Sequence, residues 1–367
     1  LVAAGQLDID RPLSAFLVHA PPAWSDIPFW RLLNHTSGIP MVTNQTVFGE
    51  LESDPAAGNS EIYDYVRDLP LDYEPGAYSR YRQSGYAVAE MIASKETGLT
   101  WTELVDERVL APAGLEATFH AATSEGARNA ELLTSAGGYE TTAEDMETLF
   151  KALNADVAID RENWAGLLFN EQYIHDGYGL GTVLVDVAGE RTLGHSGGGR
   201  ANIRYAPDAE VGVFVCTDDR SNNNVHNDLA NMLMLETLTG EKAPLPFQFF
   251  IAAHKDGPIE TLIADYLAEQ AETDAPYDLS DVEGRLNALG YSLLSEERYD
   301  DAIAIFKLNV EEHPVSANTY DSLAEAYMLS GDKEQAISNY QKSLDLNPGS
   351  ANAKAMLEKL KRPSSDR

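Results

Sequence analysis

The spacing of hydrophobic and polar positions divides the chain into stretches of different period. Apolar residues recur every three to four positions over 84–97, 101–110 and 143–153, which predicts helices there. Over 181–187, 191–195, 201–206 and 211–217 the pattern is strand-like, with Gly, Pro or Asp turns between segments. Turns this short predict an antiparallel meander rather than βαβ units. From 240 to 278 the chain contains Pro, Asp and Ala and one amphipathic stretch, 259–271, expected to form a connection with a single helix. Beyond it the pattern repeats at an offset of 34: Leu289 falls on Leu323, Gly290 on Ala324, Ala302 on Ala336, Phe306 on Tyr340 and Pro314 on Pro348. Small residues at 290, 302, 324 and 336 let paired helices approach, Phe306 and Tyr340 fill the gap between neighbours, and each Pro stops a second helix.

That period resembles the tetratricopeptide repeat, a helix–turn–helix unit. Two such units need cover at both ends. A helix over 351–360 is expected at one end, and 259–271 or the first domain at the other. The expected organisation is therefore a mixed domain over 1–240, a linker with one helix over 241–280, and two repeats plus a capping helix over 281–361.

Composition narrows the class of function. Apolar and charged residues make up 44% and 23% of the 367 positions, an ordinary globular balance, and no apolar run reaches the length of a membrane-spanning helix. The net charge is −33, of which −28 falls in the first 280 residues. Such a surface repels phosphate-rich partners, so neither nucleic acid nor an anionic lipid surface is an expected partner. Cys216 is the one cysteine, which excludes an internal disulfide and a zinc site built on four cysteines or on two cysteines and two histidines. It lies in an apolar run and is expected to be a buried strand residue.

Six segments in sequence order carry a family resemblance. They are LVAAGQLDIDRP leading to RLLNHTSGIP (1–40), YEPGAYSRYRQSGYAVAEMI (73–92), ERVLAPAGLEATF (107–119), AGGYETTAEDM (136–146), YGLG (178–181) and LGHSGG (193–198). Together they resemble the serine β-lactamase and penicillin-binding-protein family, on the branch of class C β-lactamases, D-aminopeptidases and carboxylesterases. The resemblance implies an α+β β-lactamase/transpeptidase-like domain, helices packed on an antiparallel sheet, followed here by the all-α repeats. It implies acyl transfer through a serine, on an ester, a D-amino-acid amide or peptide, or a β-lactam, with neither metal nor organic cofactor. It also favours a periplasmic or exported protein. In the family, LVxxGxLxLDxP closes the helix that opens with Ser-x-x-Lys, so that Ser and Lys are expected upstream of Leu1.

The resemblance also assigns residues. Tyr81 stands at the Tyr of the family's Tyr-x-Asn, a second proton relay beside the nucleophile. Gln83 replaces the Asn; its extra methylene shifts the amide by roughly an ångström and alters contact with the substrate. His195-Ser196-Gly197 stands at Lys-Thr-Gly. Ser196 is expected to hydrogen-bond a substrate carboxylate, Gly197 to let substrate approach, and the Gly198 N–H to be one of two oxyanion donors. His195 in place of Lys replaces a permanent cation by a titratable donor, which weakens attraction for a carboxylate.

Other readings of the same residues remain. Residues 194–198 fit the Gly-x-Ser-x-Gly elbow of α/β-hydrolases, but a strand-like pattern follows where that motif needs a helix. The chain's one Ser-x-x-Lys, Ser330 to Lys333, falls in a repeat turn. Ser37 reads as a turn-stabilising hydroxyl. Asn287, Tyr291, Asp321 and Glu325 share one side of the first repeat helices, where a basic or polar peptide could bind or the residues could prop each other. The alternative to a hydrolase is a non-catalytic binding or scaffold protein that uses the same pocket and the repeats.

Overall fold

The computed structural model describes all residues except 45, 55–56, 122–131, 158–159, 199, 218–224, 255–256, 273–275 and 362–367. The chain separates into two compact units, Leu1–Glu241 and Lys242–Arg367.

The first unit opens with turns and short helices: α1 (Trp30–Leu33), α2 (Thr46–Ser53) and α3 (Asn59–Val66). The long helix α4 (Gln83–Thr97) follows and ends at Gly98, whose φ of +75° supplies the left-handed cap. Burying Ala87, Val88, Ala89 and Ile92, it packs on the Trp24, Phe29, Leu32 and Ile62 core. The helix expected over 101–110 is α5 (Trp101–Val105), continued by a π-helical turn (Asp106–Leu110) and α6 (Ala111–Ala113). A two-residue pairing of β1 (Phe119–His120) with β2 (Tyr139–Glu140) precedes α7 (Ala143–Asn154) and α8 (Arg161–Leu168).

The four expected strands form one antiparallel meander, β3 (Val183–Val187), β4 (Glu190–Gly197), β5 (Ala201–Ala206) and β6 (Val211–Cys216), adjacent in that order. Its two faces differ because side chains alternate along each strand. Val185, Val187, Val213 and Val215 form one core with Ala230 and Met234 of α9 (Val225–Thr239). On the other face Phe150 of α7 stacks on Tyr205 at 5.9 Å, and Trp164 of α8 lies 6.0 Å from the same ring. Gly212 makes this contact possible, since a Cβ there would sit 2.3 Å from the Phe150 ring. Register aligns His195 with Ile203 and Ile203 with Phe214, one row further along that face. Cys216 corrects an expectation. It is exposed, because alternation after the buried Val215 turns it away from the α9 core at the strand's last position.

In the second unit the stretch expected to hold one helix holds two, α10 (Phe247–His254) and α11 (Ile259–Ala271), with a parallel pairing of β7 (Leu245–Pro246) and β8 (Tyr277–Asp278). Phe247, Phe250 and Tyr266 join the core of the first repeat, and the Tyr266 hydroxyl donates to Glu312 at 3.0 Å. This segment therefore covers one end of the repeats rather than merely linking to them. The repeats are α12 (Val282–Ser295) with α13 (Tyr299–Glu312), then α14 (Ala317–Ser330) with α15 (Lys333–Leu346); α16 (Ala351–Lys361) buries Ala353 and Leu357 beside Tyr340. A Cβ on Gly290 would meet the Phe306 ring at 2.4 Å, which is why the small residue stands there. Across the first helices, Tyr291 donates to Glu325 at 3.0 Å and the Asn352 amide to Asp321 at 2.7 Å.

Candidate active site

The turn after α1 builds one side of the site. His35 adopts a left-handed φ of +61°, so its carbonyl faces the 73–82 loop and accepts from the Tyr73 hydroxyl (2.9 Å) and the Arg80 N–H (3.1 Å). The Ser79 hydroxyl donates to the Asn34 carbonyl at 3.2 Å, and the Gly76 N–H to the Thr36 carbonyl at 2.8 Å. Asn34 is fixed in turn, its amide donating to the Tyr173 carbonyl and its carbonyl oxygen accepting from Thr36. Ser37 serves this turn, its Oγ lying 3.4 Å from the Ile39 N–H. Gly38, with φ +77°, is required because a Cβ would lie 2.2 Å from the Tyr73 carbonyl oxygen. The result is a loop laced to the turn, with Tyr81 at its end.

Tyr81 lies against the His35 ring (centroids 4.4 Å apart) and 6.1 Å from the ring of His195 on β4. Gln83, the first residue of α4, sits beside it, held by its backbone. Tyr81, Gln83, His195, Ser196, Gly197 and Gly198 all line one cavity of about 560 Å³. Its far wall runs from Ser135 to Thr141. Glu90, buried in α4, holds that wall by accepting from the Thr134 hydroxyl and from the Ser135 N–H (2.7 Å).

The Tyr81 hydroxyl, the Gln83 side-chain amide and the Gly198 N–H are among the cleft groups with no hydrogen-bond partner among the described residues. Partial burial raises the Tyr81 phenol, so it is a protonated donor at neutral pH in the arrangement described. A Cβ at Gly197 or Gly198 would meet nothing within 4 Å. Close packing therefore does not explain these glycines. At Gly198 a φ of +59° does, because it turns the hairpin and exposes the N–H.

Sequence reasoning missed two members. Tyr178 holds His195: their hydroxyl and Nε2 are 2.9 Å apart, while Nδ1 lies 2.6 Å from the Ser196 carbonyl oxygen. A carbonyl can only accept, so Nδ1 carries the proton, and in the neutral ring Nε2 accepts from Tyr178. Tyr178 stood in the YGLG segment without an assigned role. The other is His35, at the centre of an aromatic cluster with Tyr81, Tyr86 (5.2 Å) and Tyr178 (4.7 Å). Its Nδ1 accepts from the Arg82 N–H at 3.1 Å, which puts the proton on a buried Nε2 that has no partner among the described residues. Burial first, and then the neighbouring His195, push the His35 pKa down to about 4. Burial likewise raises the phenols of Tyr86 and Tyr178.

A family model described as Beta-lactamase matches residues 1–237, and a Tetratricopeptide repeat model matches residues 317–350. The chain belongs to the beta-lactamase family. Penicillin-binding protein 4 of Amycolatopsis lactamdurans is 26% identical over 295 residues, 67% of this chain and 74% of that protein. Among solved structures, the octameric penicillin-binding protein homologue from Pyrococcus abyssi superposes with a TM-score of 0.54 at 21% identity. That match takes in 66% of this chain and 62% of the homologue. The D-amino acid amidase of Ochrobactrum anthropi SV3, in its L-phenylalanine complex, gives 0.52 at 20% identity, covering 66% and 81%. These two likenesses show the shared β-lactamase/transpeptidase-like fold. The family match lies within the first unit and includes every residue that lines the cleft, so the cleft belongs to the beta-lactamase-like part of the chain.

Proposed function

We propose that the natural protein is a serine acyl hydrolase whose cleft lies between Tyr81 and the end of β4. Its substrate would be an ester, a D-amino-acid amide or peptide, or a β-lactam. One observation carries the reading: Tyr81 and His195, 114 positions apart in the chain, line one cavity with Gln83 and the free Gly198 N–H. The name of the Amycolatopsis relative, a penicillin-binding protein, agrees with an acyl compound as ligand.

In this reading the Gly198 N–H stabilises the oxygen that gains charge during acyl transfer, and Tyr81 relays a proton at the reacting oxygen. Burial holds the phenol in its protonated form, so it has a proton to give at that oxygen. Gln83 donates to and accepts from the substrate's amide, and Ser196 offers a hydroxyl beside it. Residues 1–241 hold no Ser-x-x-Lys pair, so these residues are assigned the roles that surround a nucleophile. The second reading is a cleft that binds without acylation. Treating the natural gene product with a fluorophosphonate and a fluorescent penicillin separates the two. A covalent adduct supports the hydrolase; no adduct with either reagent supports the binding protein.

For the repeats we propose a protein partner, with a basic or polar peptide as its contact. The acidic Asp321 and Glu325 support this chemistry, although both are also engaged across the repeats by Asn352 and Tyr291.

A further inference from the structure

A second cavity, of about 330 Å³, lies where the start of α3, the second half of α4 and the start of α5 meet, and it shares no lining residue with the cleft. Two of the polar side chains that line it are more than nine-tenths buried: Asn59 is 7% exposed and Glu90 4%. Both also hold one neighbouring segment. Asn59 Oδ1 accepts from the Leu133 N–H at 2.9 Å, and Glu90 accepts from the Thr134 hydroxyl and from the Ser135 N–H. Ser135 is where the far wall of the cleft begins. Leu133 adopts a left-handed φ of +55°, a conformation that a leucine keeps only where its surroundings hold it. The second cavity and the wall of the cleft therefore depend on the same two side chains.

The bonding capacity these groups leave unused defines a ligand. With Oδ1 given to Leu133, the Asn59 amide nitrogen has no partner among the described residues, and neither has the Ser94 hydroxyl. Each Glu90 oxygen takes one hydrogen bond and can accept another. The cavity thus offers a donor, an acceptor and a hydroxyl that is both, beside the apolar surfaces of Met91, Leu99 and Trp101. A ligand hydroxyl suits all three because it donates and accepts, and the carbon skeleton of a sugar ring packs on an indole. An anion of the same size meets the Glu90 carboxylate. A cation satisfies Glu90 but finds in the Asn59 amide a donor like itself.

We propose that this cavity binds a neutral polyhydroxylated ligand of monosaccharide size, and that its occupancy steadies the far wall of the cleft. A volume of about 330 Å³ is at the small end of ligand sites and matches one sugar ring. The proposal goes beyond acyl transfer and is independent of it, since it concerns a site that the cleft does not touch.

The test titrates methyl β-D-glucopyranoside and, separately, glucuronate into the natural gene product at pH 7 in 1 M NaCl. At that salt the screening length is about 3 Å, so the distant charges of a −33 chain do not decide the outcome. Tryptophan fluorescence should report the glucoside with a dissociation constant of about 1–10 mM, and glucuronate at least about tenfold more weakly. The response should vanish in Trp101→Phe, which removes the reporter that lines the cavity. Asn59→Asp keeps an acceptor for Leu133 and loses the free donor, so it should weaken the glucoside by about tenfold or more. Ser94→Leu fills the cavity without touching Asn59 or Glu90 and should do the same, even if Asn59→Asp folds poorly. Amide hydrogen exchange over residues 133–141 reads the wall itself and needs no catalysis. With the glucoside at ten times its dissociation constant, that exchange should slow by about tenfold, the limit when only the closed wall binds. No binding, equal affinity for glucuronate, or affinity unmoved by both substitutions would overturn the site. Binding that leaves exchange over 133–141 unchanged would overturn its link to the cleft. Neither result bears on the acyl hydrolase reading, which the covalent reagents test separately.

Discussion

His35 makes the stability of the first unit dependent on pH in a way that can be isolated. Unfolded, its imidazole takes up a proton near pH 6.5; folded, burial among Tyr81, Tyr86 and Tyr178 delays this to about pH 4. Between those values the unfolded chain binds more protons. The contribution is therefore complete above pH 6.5 and is lost as pH falls towards 4. Integrating from pH 7 to pH 5 gives a loss of about 2 kcal/mol from this one group. Other groups titrate too, so the measurement is a difference between the unaltered chain and His35→Asn. Asn tolerates the left-handed backbone that His35 adopts, and its side-chain oxygen can accept from the Arg82 N–H. All four tryptophans, Trp24, Trp30, Trp101 and Trp164, lie in the first unit, so urea unfolding followed by tryptophan fluorescence reports that unit alone. At pH 7 the unaltered chain should be the more stable, and by pH 5 the gap should shrink by about 2 kcal/mol. A gap that does not change between pH 7 and pH 5 would refute the claim that a neutral His35 organises the cluster.

Three further outcomes follow from packing and exposure. Gly212→Ala drives a methyl group into the Phe150 ring and should destabilise the first unit by about 1–3 kcal/mol in the same urea assay. Gly290→Ala presses on Phe306, and circular dichroism should show an earlier loss of helix while the tryptophan-reported transition stays in place, because the second unit has no tryptophan. Cys216, exposed at the end of β6, should react with a thiol reagent in the folded chain as quickly as in urea; a thiol that reacts only after unfolding would contradict its position.

What the sequence made legible follows from the range of each interaction. The meander could be read because alternation and turn residues are local, and the repeats because an offset of 34 recurs. Helix α9 escaped notice because Leu229, Met232, Leu233, Met234 and Leu235 leave no clean amphipathic period. Helix α10 has only eight residues, and its aromatic positions acquire meaning only against Tyr266 and the first repeat. At the site, Tyr81, Gln83 and residues 195–198 could be singled out through the family resemblance. Their convergence was implied by the same resemblance; the lacing of the 34–38 turn to the 73–82 loop, which positions Tyr81, could not be read. The grip of Tyr178 on His195 and the cluster around His35 are side-chain contacts between distant segments, which leave no periodic trace. For Cys216 the signal was present, since alternation from Val215 assigns it the opposite face.

The most direct test of the account is the rate at which a fluorophosphonate labels the natural gene product before and after Tyr81→Phe. The substitution removes one hydroxyl that no described residue hydrogen-bonds, so the tryptophan-reported stability should stay unchanged. If that hydroxyl relays a proton at the reacting oxygen, labelling should slow by about 10²- to 10⁴-fold. Labelling at an unchanged rate, or none from the unaltered protein, would contradict the claim that the cleft between Tyr81 and His195 is where acyl transfer occurs.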